Sequence, residues 1–142
     1  MNEFRLVYPM FALVLLTATV LVVLFLSRVR AVQQGSVSSK YFRIYQGEVE
    51  PEQSAKASRH FTNLFEAPTL FYAACLAGLG THDGAGLLLV LAWLYVALRA
   101  VHAVVHLGGN RLRHRMRAYF AGWLILLAMW VQVVAQVALA HP

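Results

Sequence analysis

The sequence predicts an all-α integral membrane protein, a bundle of four transmembrane helices, and three observations predict it. Of its 142 residues 60% are hydrophobic and 13% charged, with a mean hydropathy of +0.61. An ordinary soluble domain is about 45–50% apolar and about 25% charged, and a soluble chain this small cannot hide so much apolar surface in one core. The apolar residues fall in four blocks, each near the ~20 residues that carry a helix across ~30 Å of hydrocarbon. None of the blocks shows the apolar/polar alternation of a membrane β-barrel strand. The composition excludes a standard soluble enzyme, a disordered tail, a disulfide-stapled secreted module and any large extramembrane domain.

The first helix is expected over about 6–27. Its apolar stretch outruns the 7–15 residues of a signal-peptide core, and no small-residue cleavage site follows. Ser27-Arg28-Val29-Arg30 follows instead and reads as a stop and an interfacial anchor, so the helix is expected to be retained. The loop over about 31–56 is mixed in charge, with Glu48, Glu50 and Glu52 offsetting its bases. The second helix is expected over 57–79, the third over 85–107 and the fourth over 115–139, as one domain spanning 1–142. Cys75 is alone within the second apolar block, which rules out an intramolecular disulfide and suits a small buried apolar residue.

Charge sets the expected orientation. Of 12 Lys and Arg, six (Arg28, Arg30, Lys40, Arg43, Lys56, Arg59) flank or join the first two helices, and four (Arg111, Arg113, Arg115, Arg117) lie between the third and fourth. The short segment Gly80-Thr81-His82-Asp83-Gly84 has neither. By the positive-inside rule both basic loops are cytoplasmic and both termini lie on the other side. A basic face of this kind suits anionic lipid headgroups, and nothing resembles a nucleic-acid-binding module. The Ala/Leu/Val/Arg-rich usage, and an ending Ala140-His141-Pro142 without an ER-retrieval signal, point toward a bacterial inner membrane.

Ionisable groups inside a membrane helix cost about 2.5–3.5 kcal/mol each on insertion scales, so they are functional candidates by default. Arg59, Asn63 and Glu66 are spaced i, i+4, i+7 and would form one stripe on a continuous second helix, with Pro68 bending it just beyond. Tyr95, Arg99, His102 and His106 form a second stripe on the third helix. Arg99 lies too deep to snorkel, so it should face protein or a polar cavity, with Glu66 as its charge partner. Together with Arg28, Arg30 and the 111–117 arginines, the stripes describe an Arg-rich cavity open to the cytoplasm and suited to an anionic, hydrogen-bonding ligand. Simpler readings stand beside this one. Arg99–Glu66 can be a structural ion pair, and the arginine run can be an ordinary cytoplasmic loop. His102 and His106, at i, i+4, have the spacing of a helical metal pair, with His60 or Glu66 as further ligands for a metal or haem.

The run Arg59-His60-Phe61-Thr62-Asn63-Leu64-Phe65-Glu66 resembles the signature Arg-x-x-x-Asn-x-x-Glu of the MAPEG superfamily, the membrane-associated proteins in eicosanoid and glutathione metabolism. Arg99-Ala-Val-His102-Ala-Val-Val-His106 is similar to that family's Arg-x-x-His-x-x-x-Tyr, and Arg115 followed by Tyr119 agrees in spacing with the opening of its fourth helix. The Arg28/Arg30 pair matches its basic residues ending helix 1. The resemblance covers nearly the whole chain. It implies a homotrimer holding glutathione as co-substrate between subunits, and a transferase or peroxidase acting on lipophilic electrophiles or lipid hydroperoxides that arrive from membrane lipid. Arg59, Asn63 and Glu66 would bind the tripeptide, Arg28 would reach the site from a neighbouring helix, and Arg99, His102 and His106 would line it. Arg115 would activate the thiol, with Arg113 as the alternative because loop length varies in the family, and Tyr119 would contact the ligand. The same superfamily includes a non-catalytic lipid-binding protein, so a lipid- or partner-binding role on the same fold is the second reading.

Overall fold

The computed structural model describes residues 3–80, 85–109 and 111–140, so segment 81–84, expected as the uncharged-by-base turn between the second and third helices, lies outside the described residues. A 3-10 turn, Glu3–Leu6, leads into α1 (Val7–Gln33); α2 (Tyr41–Ile44), α3 (Glu52–Asn63), α4 (Ala67–Leu79), α5 (Ala85–Leu107) and α6 (Leu112–Ala140) follow. The described residues include no strand. Three stretches, Phe4–Gln33, Gly86–Leu107 and Leu112–Leu139, are long and apolar enough to cross a membrane.

The second predicted helix departs from expectation, since the segment 57–79 forms two helices separated by Leu64, Phe65 and Glu66. A helix continued through Pro68 would lose the bond to the carbonyl of Leu64 and press the pyrrolidine ring against it. The chain tightens instead, with the Leu64 N–H shared between the carbonyls of His60 and Phe61 and the Phe65 N–H on that of Thr62. Glu66 then leaves helical geometry (φ −89°, ψ −98°), and Pro68 falls in the first turn of α4, where its missing donor costs nothing. The interruption therefore precedes the proline. At 13 residues, α4 is about 20 Å long and too short to cross alone.

The first helix also runs further than its expected end. The Gln34 N–H bonds back to Arg30, Gly35 turns left-handed at φ +68°, the Gly35 N–H reaches Val32 and the Ser36 N–H reaches Ala31. This is a Schellman ending, in which glycine takes the left-handed position without a Cβ penalty. Arg28 and Arg30 therefore sit in the last turns of α1, where the helix dipole favours cations. Beyond it, Ser38 donates its N–H and hydroxyl to Glu48, which holds that carboxyl below the usual range.

The molecule is built in two tiers. One is an apolar core of Leu6 and Leu13, Phe71, Ala74 and Cys75 of α4, Leu88, Ala92, Tyr95 and Val96 of α5, and Leu126, Met129 and Val133 of α6. Phe71 stacks on Tyr95 at 4.7 Å and 10°. Gly78 is where α4 closes on this core, since a Cβ there would collide with the Leu88 side chain and lie 3.3 Å from Leu6 Cδ1. Leu88 can turn aside for one methyl group but not for a branched side chain. Gly78→Val should thus lose about 1–3 kcal/mol through overpacking, read as a lower Tm in detergent, with Gly78→Ala losing clearly less. The other tier is polar, formed by α3, the second half of α5 and the start of α6.

Candidate functional site

The polar tier owes its geometry to the residues that face inward. On α5, Tyr95, Arg99, His102 and His106 are all buried, Arg99 at 2% exposure. Their i, i+4, i+7, i+11 spacing keeps them on one side of the helix, and that side meets α4 at Tyr95 and α3 and α6 beyond it. α6 starts at Leu112, so Arg113, His114 and Arg115 are helical, and no acid accompanies them in its first turn. The Arg115 N–H donates to the carbonyl of Arg111 at 3.0 Å. Several cations at the positive pole of a 29-residue helix make this end an attractor for anions.

A cavity of about 540 Å³ opens between these elements, lined by Ser58, Arg59, Thr62, Asn63, Glu66, His102, His106, Arg115, Met116 and Tyr119. Its size is that of a small-molecule site. Seven of the residues singled out in the sequence meet here: Arg59, Asn63, Glu66, His102, His106, Arg115 and Tyr119. Glu66 arrives from the break between α3 and α4 and not from a continuous helical stripe.

Three of the sequence candidates stand elsewhere. Arg113 is exposed and does not line the cavity. Arg28 lies beside a separate, largely apolar hollow with Phe25, Val29, Val32 and Phe42, its guanidinium 5.1 Å from the Phe42 ring centre and 5.7 Å from that of Tyr45. Arg99 sits behind the cavity wall. Its Nε donates to the Tyr95 hydroxyl at 3.0 Å, and its guanidinium carbon is 5.1 Å from the Tyr95 ring centre and 5.5 Å from that of Tyr119. The Arg99–Glu66 ion pair expected from the sequence is not formed, because Glu66 is exposed while Arg99 turns to the two phenols. Arg99 Nη2 is buried without a hydrogen-bond partner.

Ser58, Thr62 and Met116 also line the cavity, beyond the residues that the sequence singles out. Ser58 and Thr62 are one turn apart and adjacent to Arg59 and Asn63, and that i, i+4 pairing was the available signal. The sequence points to His60 only as a metal ligand. His60 is 1% exposed and packs against both cavity histidines, its ring centre 5.3 Å from His102 and 5.1 Å from His106. The His60 and His102 rings lie nearly parallel, at 25°. Among the described residues no three His, Cys, Asp or Glu side chains are placed to hold a metal ion.

The MAPEG family's sequence profile matches residues 6–135 of this chain, and the chain belongs to the MAPEG family. It is accordingly an integral membrane protein, all-helical in its described residues. No curated protein and no solved structure matches it.

Proposed function

We propose that this protein is a membrane-embedded, glutathione-dependent transferase or peroxidase acting on lipophilic electrophiles or lipid hydroperoxides, with the glutathione thiolate stabilised by Arg115. The observation that carries this reading is the cavity that gathers Arg59, Asn63, Glu66, Arg115 and Tyr119. Glutathione at neutral pH carries two carboxylates, one ammonium and a thiol. Glu66 suits the ammonium, Arg59 a carboxylate through its guanidinium fork, and Asn63 an amide of the backbone. A thiol ionises near pH 8.5 and reacts as the thiolate; a guanidinium beside it favours the anion and does not lose its own charge. Met116 lines the same cavity and is 47% exposed, so the wall includes an apolar face that suits an apolar acceptor.

In this reading α3 and α4 together make the second of the four crossings of a four-helix bundle in a bacterial inner membrane, with both termini outside. Three copies assemble as a homotrimer in which Arg28 reaches a neighbour's cavity. Family membership supports a glutathione-related membrane function in general.

The test is the thiolate absorbance that appears when glutathione is added to detergent-purified protein, compared with Arg115→Ala. A signal in the wild type that is lost in the variant is expected. A flat trace in both, with the proteins folded, would overturn the catalytic reading in favour of non-catalytic lipid or partner binding on the same fold.

A further inference from the structure

The cavity's inner wall holds more proton-active nitrogen than binding a tripeptide requires. His102 and His106 line the cavity yet are only 2% and 4% exposed, and His60 stands directly behind them. The ring centres of His102 and His106 are 5.7 Å apart. Both nitrogens of His60 are buried without a hydrogen-bond partner, and no side chain pairs with His102 or with Nδ1 of His106. Leaving one buried polar atom unpaired costs about 1–3 kcal/mol. Phenylalanine or leucine would fill the same corner without that penalty, so packing does not account for three imidazoles.

The surroundings narrow what the imidazoles can serve. The charged groups around them are Lys56, Arg59 and Glu66 from the α3 side, Arg99 on their own helix, and Arg115 from α6, with the phenol of Tyr119 beside His102. A cationic ligand is repelled by three guanidinium groups, so the partner is an anion or a group that becomes one. Two groups become anionic in thiol transfer, the sulfur and the atom released from the acceptor. Arg115 serves the first.

We propose that His102 and His106 carry the thiol's proton to the oxygen released from the acceptor, with His60 as the positioning residue that holds their rings. The acceptors this wall favours are then epoxides and hydroperoxides over aryl halides. This rests on the glutathione reading above. The thiol S–H bond breaks and its proton goes to an imidazole nitrogen. The imidazolium forms together with the thiolate beside Arg115, and the thiolate's negative charge offsets the repulsion of the surrounding guanidinium groups. With an epoxide, the sulfur lone pair forms the S–C bond, the C–O bonding pair moves to oxygen, and the imidazolium returns the proton there, giving a hydroxy thioether. With a hydroperoxide, an S–O bond forms to the distal oxygen, the O–O pair leaves on the alkoxide, and the same proton makes the alcohol. A second glutathione then reduces the sulfenic acid to the disulfide and water. Chloride leaving an aryl ring needs no proton, and that difference isolates the histidines.

The experiment uses purified protein with glutathione and two acceptors, cumene hydroperoxide and 1-chloro-2,4-dinitrobenzene, comparing wild type with His102→Phe, His106→Phe, His60→Phe and His60→Ala. Phenylalanine keeps ring shape and stacking but carries no proton. The hydroperoxide-to-aryl-chloride ratio of kcat/KM should fall by about 10²–10⁴ in the more important of His102→Phe and His106→Phe, the usual range for a lost proton-transfer group. His60→Phe should hold the ratio better than His60→Ala, and glutathione titration with Tm confirms that each variant is folded and loaded. Equal loss on both acceptors would overturn the proposal, because delivery of the proton to the released oxygen would then contribute nothing beyond thiol ionisation or binding. Wild-type conversion of the aryl chloride without the hydroperoxide would overturn it and leave the glutathione reading standing. No conversion of either, with no thiolate signal, would remove both; a thiolate signal without turnover would remove this proposal alone.

Discussion

Arg115→Ala is expected to lower glutathione-dependent turnover by about 10²–10³, the cost of removing one well-placed donor to a developing anion. Arg113→Ala, two residues earlier, should leave it within about twofold. Two residues along a helix turn the side chain by about 200°, and the structure places Arg115 in the cavity wall and Arg113 on the exposed face. Steady-state kcat and KM for both variants decide the matter. If the two fall equally, the arginine cluster acts as a diffuse positive field, and no single guanidinium holds the sulfur.

A second expected result runs in opposite directions for stability and binding. Arg99 is buried, with no acid paired to it, and its charge rests on a hydroxyl and two ring faces. Replacing a buried charge network by apolar side chains of similar volume is often neutral or stabilising by about 1–4 kcal/mol. Arg99→Met alone would strand the Tyr95 hydroxyl, so the informative protein is the double variant Arg99→Met with Tyr95→Phe. Its Tm without ligand should exceed that of the wild type, and its affinity for glutathione should drop about tenfold, because the wall behind the cavity loses a positive charge. Thermal unfolding and titration in the same detergent read both quantities. A lower Tm would mean that the Arg99–Tyr95–Tyr119 contacts contribute more than the charge costs.

Several of these features were legible in the residues and others were not. Composition and block length suffice for helices in a membrane, because lipid replaces the polar solvent and every apolar run must be long. The α5 face was legible because the polar residues are rare enough on that helix for their spacing to stand out. Boundaries were harder. Apolar helices in a membrane carry little periodic signal, so punctuation must be read from single residues, and Gly35 and Pro68 were the informative ones. Arg28 and Arg30 read as a stop, whereas Gly35 makes the actual exit of α1. The Arg59–Asn63–Glu66 spacing was read on a continuous helix, and the three residues meet at the cavity although the helix ends after Asn63. The partner of Arg99 was misassigned because opposite charge is visible in sequence, while a neighbouring phenol on the same helix competes at a distance that only the fold reveals.

The interruption at residues 64–66 has an evolutionary consequence. α4 belongs to the apolar core, whereas α3 buries only Ser54, Ala57 and His60 and contributes Ser58, Arg59, Thr62 and Asn63 to the cavity. Since the two are not one rigid rod, a change of side chain at Ser58 or Thr62 is felt by whatever occupies the cavity and not by Phe71 or Cys75. Selection can therefore vary what this cavity accepts while the scaffold beneath it stays as it is.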